Sequence, residues 1–204
     1  ERSILLNFKG AGDEDNDLVS WQTATQPCDS DGWDSFVDGW LGVQCDVVAG
    51  RVTQIVLMNM VGLSGTLGSL SNMIGLRHLN LYGCEAVSGD LSALSRMSQL
   101  AYLSLARMPN VAGDLSSLSQ LVHLSELYLS STGIHGSIAA LSGLPLLTDL
   151  WLAGTVVYGD ASQIRDSIVG LRTSWGDGGR DFTACSSYLR CADEASLVAD
   201  AGSV

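Results

Sequence analysis

Lysine is almost missing from this chain of 204 residues: Lys9 is the only one, and the basic total of 10 faces 22 acids, for a net charge of −12. No basic stripe can therefore track a phosphate backbone, which argues against nucleic acid as a partner. Long apolar runs are also lacking, and none approaches the ~20 residues of a membrane span, so no membrane insertion by this segment is expected. There is no C-x-x-C pair and no Cys/His cluster, and His78, His123 and His135 lack the spacing of metal ligands on one element. Neither a Gly-x-Ser-x-Gly elbow, a P-loop nor a His-Glu-x-x-His pair occurs. Catalytic residues, metal and cofactor are all expected to be none, and the chain is not expected to be an enzyme. Asn-x-Ser/Thr is absent too, so N-glycosylation is not expected. The chain opens at Glu1 without an initiator Met or a charged-then-apolar leader, and reads as a mature or excised segment.

What is present is apolar: 46% of residues are hydrophobic and 16% charged, a balance that folds rather than stays disordered. Five cysteines fall as two local pairs around an odd one. Cys28 with Cys45, and Cys185 with Cys191, suggest two disulfides, and Cys84 a buried thiol. That usage points to an oxidising compartment, either secreted and extracellular or another oxidising lumen.

Periodicity decides the fold. The pattern L-x-x-L-x-L occurs at Leu76/Leu79/Leu81, Leu100/Leu103/Leu105, Leu124/Leu127/Leu129 and Leu147/Leu150/Leu152, with Val52/Ile55/Leu57 as a conservative version. Successive starts lie 24, 24, 24 and 23 residues apart. A glycine follows each triplet (Gly65, Gly89, Gly113, Gly136, Gly159), and apolar residues follow the glycine, such as Leu91 and Leu94. Each triplet is read as a short strand with leucines inward and the intervening residues facing solvent. The glycine lets the backbone pass where a side chain would crowd the next coil. One coil cannot bury its own core, so the coils stack and the strands form a parallel sheet.

The N-terminal stretch "ERSILLNFKGA…DLVSWQ…QPC…WLGVQCD…GRVTQIVL…GLSGTL" resembles the cap and first repeat of plant-type leucine-rich-repeat proteins, a family that includes receptor-kinase ectodomains and polygalacturonase-inhibiting proteins. The match uses Leu5, Leu6, Phe8, Lys9, Leu18, Ser20, Trp21, Cys28, Trp40, Gly42, Val43, Cys45, Gly50, Arg51 and Val52. The resemblance implies an α/β fold: a right-handed leucine-rich-repeat solenoid with a short parallel concave sheet. It assigns 1–50 to a helical N-terminal cap, 51–168 to five repeats and 169–204 to a disulfide-containing C-terminal cap or tail. Two departures matter. Met60, Cys84, Met108, Thr132 and Thr155 replace the family's asparagine after each strand, and of these Thr and Cys can still donate a hydrogen bond, whereas Met cannot. The family's Gly-x-Ile-Pro step appears without its proline.

Three outward rows cross the five strands. They are Gln54, His78, Tyr102, Glu126 and Asp149; then Val56, Asn80, Ser104, Tyr128 and Trp151; then Met58, Tyr82, Ala106, Ser130 and Ala153, with Arg107 just beyond. His78, Tyr82, Tyr102, Arg107, Glu126, Tyr128, Asp149 and Trp151 are the expected ligand-binding residues, because Tyr and Trp supply large contact area at low entropic cost. Asp90, Asp114 and Asp160 follow repeat glycines and are read as turn caps rather than a cation strip. Asp13, Asp15 and Asp17 alternate like a calcium loop but lack its glycine and distal glutamate, so a solvated acidic loop is the reading. The expected role is a non-catalytic binding module for a protein or peptide, with a glycan as a further option, monomeric unless part of a complex. Its rival is a structural subunit held permanently in a larger assembly.

Overall fold

Every L-x-x-L-x-L triplet becomes one rung of a parallel sheet. The computed structural model describes residues 1–9, 18, 27–28, 41–46, 48–160 and 164, and the backbone of 172–173 and 189–190. The main sheet has seven strands: β1 (Val43–Asp46), β2 (Arg51–Val56), β3 (His78–Asn80), β5 (Tyr102–Ser104), β7 (Glu126–Tyr128), β9 (Asp149–Trp151) and β11 (Arg172–Thr173), adjacent in that order. β1 pairs antiparallel to β2, and all the other pairings are parallel. Register is uniform from coil to coil, with Leu79 opposite Leu103, Leu103 opposite Leu127 and Leu127 opposite Leu150. Past the strands the ladder continues: Leu81 N–H donates to the Ser104 carbonyl at 2.9 Å, Leu105 to Tyr128 at 2.9 Å and Leu129 to Trp151 at 2.8 Å.

Uniform register puts leucine upon leucine, and the triplet leucines are fully buried in one continuous core. Removing one such side chain to alanine typically costs about 2–5 kcal/mol. The outer side of each coil is a one-turn 3-10 helix, at Leu67–Leu70, Leu91–Leu94, Leu115–Leu118 and Ile138–Leu141, whose first and last residues are also buried. Asp90 and Asp114 cap two of these turns by accepting from Ser92 N and Ser116 N, each at 2.8 Å. Ser137 does the same for Ala139 at 3.3 Å. The Asp90 and Asp114 carboxyls are held below their ordinary range chiefly by the side-chain hydroxyls of Ser92 and Ser116, with the backbone N–H bonds adding to the effect.

A second parallel sheet, which the periodicity did not announce, lies after the triplets. It comprises β4 (Gly89–Asp90), β6 (Val111–Asp114), β8 (Gly133–Ser137), β10 (Val156–Asp160) and β12 (Leu189–Arg190). The repeat glycines of its first four strands all have positive φ, from 112° to 132°. At Gly113 an added Cβ would stand 2.8 Å from Leu91 N in the preceding coil. Close stacking of backbones is thus the reason for glycine here.

The residues that replace the asparagine divide as their chemistry requires. Thr132 and Thr155 donate to the carbonyls of Leu129 and Leu152, each at 2.7 Å, and Cys84 Sγ donates to the Leu57 carbonyl at 3.0 Å. Burial pushes the Cys84 thiol above its ordinary pKa, so it is an inert, protonated core residue. The Met108 side chain is buried in the apolar core.

At the N-terminal end, α1 (Arg2–Lys9) buries Leu5 and Phe8, three residues apart on one helix face, against the first coil. The Glu1 carboxylate accepts from Val52 N at 2.8 Å, and Lys9 Nζ donates to the Leu18 carbonyl at 2.8 Å. Cys28 and Cys45 form the expected disulfide. At the other end β11 and β12 add a further rung to each sheet, within the stretch assigned to the C-terminal cap. Cys185, Cys191 and the acidic run with Asp13, Asp15 and Asp17 lie outside the described residues.

Candidate binding face

Side chains alternate across a strand, so burying the leucines turns the residues between them outward. Four of the expected site residues meet there in one continuous run. His78 and Tyr102, register partners on β3 and β5, stack with centroids 4.0 Å apart and planes 8° from parallel. The run then steps diagonally: Tyr102 meets Tyr128 at 5.4 Å, and Tyr128 meets Trp151 edge to face at 5.6 Å. Aromatic contact therefore crosses four successive coils and shifts one row as it goes.

Glu126 fills the first-row place left by that shift. It is the register partner of both Tyr102 and Asp149, and its carboxylate accepts from the Tyr128 hydroxyl at 2.7 Å. Asp149 accepts from Thr148 Oγ1 at 3.0 Å. The rings are uncharged at neutral pH. Burial lowers the His78 pKa, with Glu126 opposing, and burial raises those of Tyr102 and Tyr128, the latter helped by its bond to Glu126. The face thus carries neutral rings beside two carboxylates.

Not every outward position is available. Asn80 and Ser104 belong to the second row but are buried. Asn80 Oδ1 accepts from Tyr82 N at 3.1 Å, and Ser104 is almost fully covered. Trp151, by contrast, is 41% exposed at the end of the ring run. Among the described residues no group of three or more His, Cys, Asp or Glu is placed to hold a metal ion.

No protein-family model matches the chain. A probable leucine-rich repeat receptor-like protein kinase of Arabidopsis thaliana is 37% identical over 81 residues, 40% of this chain; the chain spans only 10% of that relative's length. Among solved structures, the BIR3–SERK2 complex from Arabidopsis thaliana contains a chain 26% identical to this one, with a TM-score of 0.62 over 84% of this chain and 93% of its own. The chain has the leucine-rich-repeat solenoid fold of these plant proteins. A plant ice-binding protein shares the fold at 22% identity and a TM-score of 0.66, over 84% of this chain and 56% of its own. A shared solenoid therefore does not set the task; the face residues do.

Arg107 and Tyr82 stand apart from the ring run and meet each other, with the guanidinium carbon 5.9 Å from the ring centroid. Arg107 also occupies an unfavourable backbone position. One residue per coil is left-handed just after the third row: Asn59, Gly83, Arg107, Ser131 and Gly154, with φ between 56° and 72°. Glycine and asparagine suit that conformation, whereas a long side chain costs about 1–2 kcal/mol. This leucine-rich-repeat protein therefore keeps an arginine where its own repeat favours glycine. Arg107→Gly is expected to leave chemical-denaturation stability unchanged or slightly raised, as strain relief and glycine's added chain entropy roughly cancel. A loss above ~1 kcal/mol would instead make the contact with Tyr82 a structural one.

The sequence reading overlooked that left-handed series, although Asn, Gly, Ser and Gly at 59, 83, 131 and 154 mark it in phase. It also gave no weight to Ser130, whose hydroxyl is buried without a hydrogen-bond partner in the third row. Periodicity carries no sign of that orphan.

Proposed function

We propose that this chain is a non-catalytic recognition module whose concave face binds a protein or peptide. The observation that carries the reading is the uninterrupted run His78–Tyr102–Tyr128–Trp151, ending in a partly exposed tryptophan. Rings on a rigid sheet lose little freedom on binding, and Tyr and Trp dominate binding energies at interfaces. Arg107, kept at a backbone position that favours glycine, extends the face to the third row. The solved relative in a BIR3–SERK2 complex supports a protein partner, and the Cys28–Cys45 disulfide supports an extracellular or other oxidising setting. No described helix is long and apolar enough to cross a membrane.

A photo-crosslinking amino acid placed separately at Tyr102 and at Gln120, which lies just past the Leu115–Leu118 turn on the outer side, tests the face. Exposed to an extract of the source tissue, the chain is expected to capture a partner from position 102 and none from position 120. Capture from 120 alone would move the site to the convex side. A partner that stays bound through purification of the native chain would favour the rival, a permanent assembly subunit.

A further inference from the structure

We propose that Arg107, held over Tyr82, receives the carboxylate of an aspartate or glutamate within an extended peptide; this rests on the concave-face reading above. Although acids outnumber bases by 22 to 10, the exposed Arg107 makes no ion pair with any described acid. What meets its guanidinium is the Tyr82 ring, 5.9 Å from the guanidinium carbon. Contact with a ring face uses the flat charge but no N–H donor. The donors therefore stay available in the fork that fits a carboxylate.

The backbone under this corner is fixed as well. Arg107 N–H donates to the Ser130 carbonyl at 2.8 Å, and Gly83 N–H, one coil earlier, donates to that of Ala106 at 2.9 Å. Gly83 and Gly154 take the same left-handed turn without strain, so the arginine is a costly occupant of its place, and such strain collects where a side chain has a task. Met58 precedes Tyr82 in the third row and is 48% exposed. The corner thus sets one cation beside apolar surface, and a carboxylate on a methylene stem suits both.

Register sets the spacing on the peptide. Asn80, Ser104, Tyr128 and Trp151 are successive register partners, so Tyr82 stands three coils before Trp151 and two residues farther along its strand. At about 4.8 Å per strand and 3.3 Å per residue, the separation is about 16 Å, or five residues of extended peptide. Ser104 and Ala106 between them are almost fully covered, which leaves a low path from the rings to the corner. Glu126 and Asp149 belong to the first row, four residues back along the strands and so about 13 Å from the Tyr82 level. That exceeds a Debye length of about 8 Å, so their repulsion of an acid at the corner is largely screened.

The probe is a phage-displayed library of random decapeptides, joined to the coat protein through their C-termini so that only a side chain can offer the carboxylate. Selected on the full chain, wild type is expected to enrich Asp or Glu at one position by about tenfold, the scale of a charge-assisted contact. That position should lie about five residues from an apolar or aromatic one. The net charge of −12 disfavours acids everywhere else, so the enrichment reports a local cation. Arg107→Gln should abolish it yet still select the apolar position. Arg96→Gln, the same change at an exposed site just past the Leu91–Leu94 turn, should retain it. Selection without acidic enrichment, enrichment that survives Arg107→Gln, equal loss in both variants, or no selected peptide at all would overturn the inference. Non-acidic peptides that nonetheless require Tyr128 and Trp151 would overturn only the acid site. Peptides indifferent to those rings would remove the concave-face reading with it.

Discussion

Replacing Tyr128 and Trp151 together by alanine is expected to weaken partner binding by a hundredfold or more, roughly the loss of two hot-spot residues at ~2 kcal/mol each. The fold should survive. Both side chains leave the sheet on its solvent side, and the leucines between them, Leu127, Leu129, Leu150 and Leu152, keep the core intact. What the variant gives up is one edge-to-face pair at 5.6 Å, one tilted pair at 5.4 Å and the hydroxyl bond to Glu126. An aromatic pair contributes about 0.5–1.5 kcal/mol, so the stability loss should stay near 2 kcal/mol. Titration of the crosslinked partner, run beside chemical denaturation, measures both quantities. Unchanged affinity would end the proposal, and a collapsed fold would show that the rings shield the sheet.

Gly113→Val is expected to do the reverse, unfolding the solenoid at a position no ligand touches. The residue sits at φ 127°, a region that side chains rarely enter. Its new Cβ would stand 2.8 Å from Leu91 N, 3.0 Å from Leu91 Cβ and 3.1 Å from Asp90 Oδ2. Two of those are parts of the packed preceding coil, which has little room to yield. Strain and overpacking together should cost about 3 kcal/mol or more. Because each coil is stabilised chiefly by its neighbours, separation at this step exposes two apolar faces at once. Ala112→Val, one residue away and exposed, is the control and should be nearly neutral. A denaturation midpoint for Gly113→Val equal to that of the control would refute the stacking argument.

The amino-acid sequence by itself determined the coil, its repeat length, the buried leucines and which residues share the solvent side of the sheet. Each of these depends on local alternation and on a period, and both are written along the chain. It also determined that Thr132, Thr155 and Cys84 could bond to backbone while Met108 could not, since that depends only on side-chain chemistry. Only the tertiary structure decided which outward residues touch. The shift from Tyr102 to Tyr128 across rows, the burial of Asn80 and Ser104, and the pairing of Arg107 with Tyr82 all depend on side-chain size and rotamer between neighbouring coils. The second sheet was hidden for a similar reason. Its strands are short and glycine-bearing, with no alternation to display, and they exist because stacking brings their backbones within hydrogen-bonding reach.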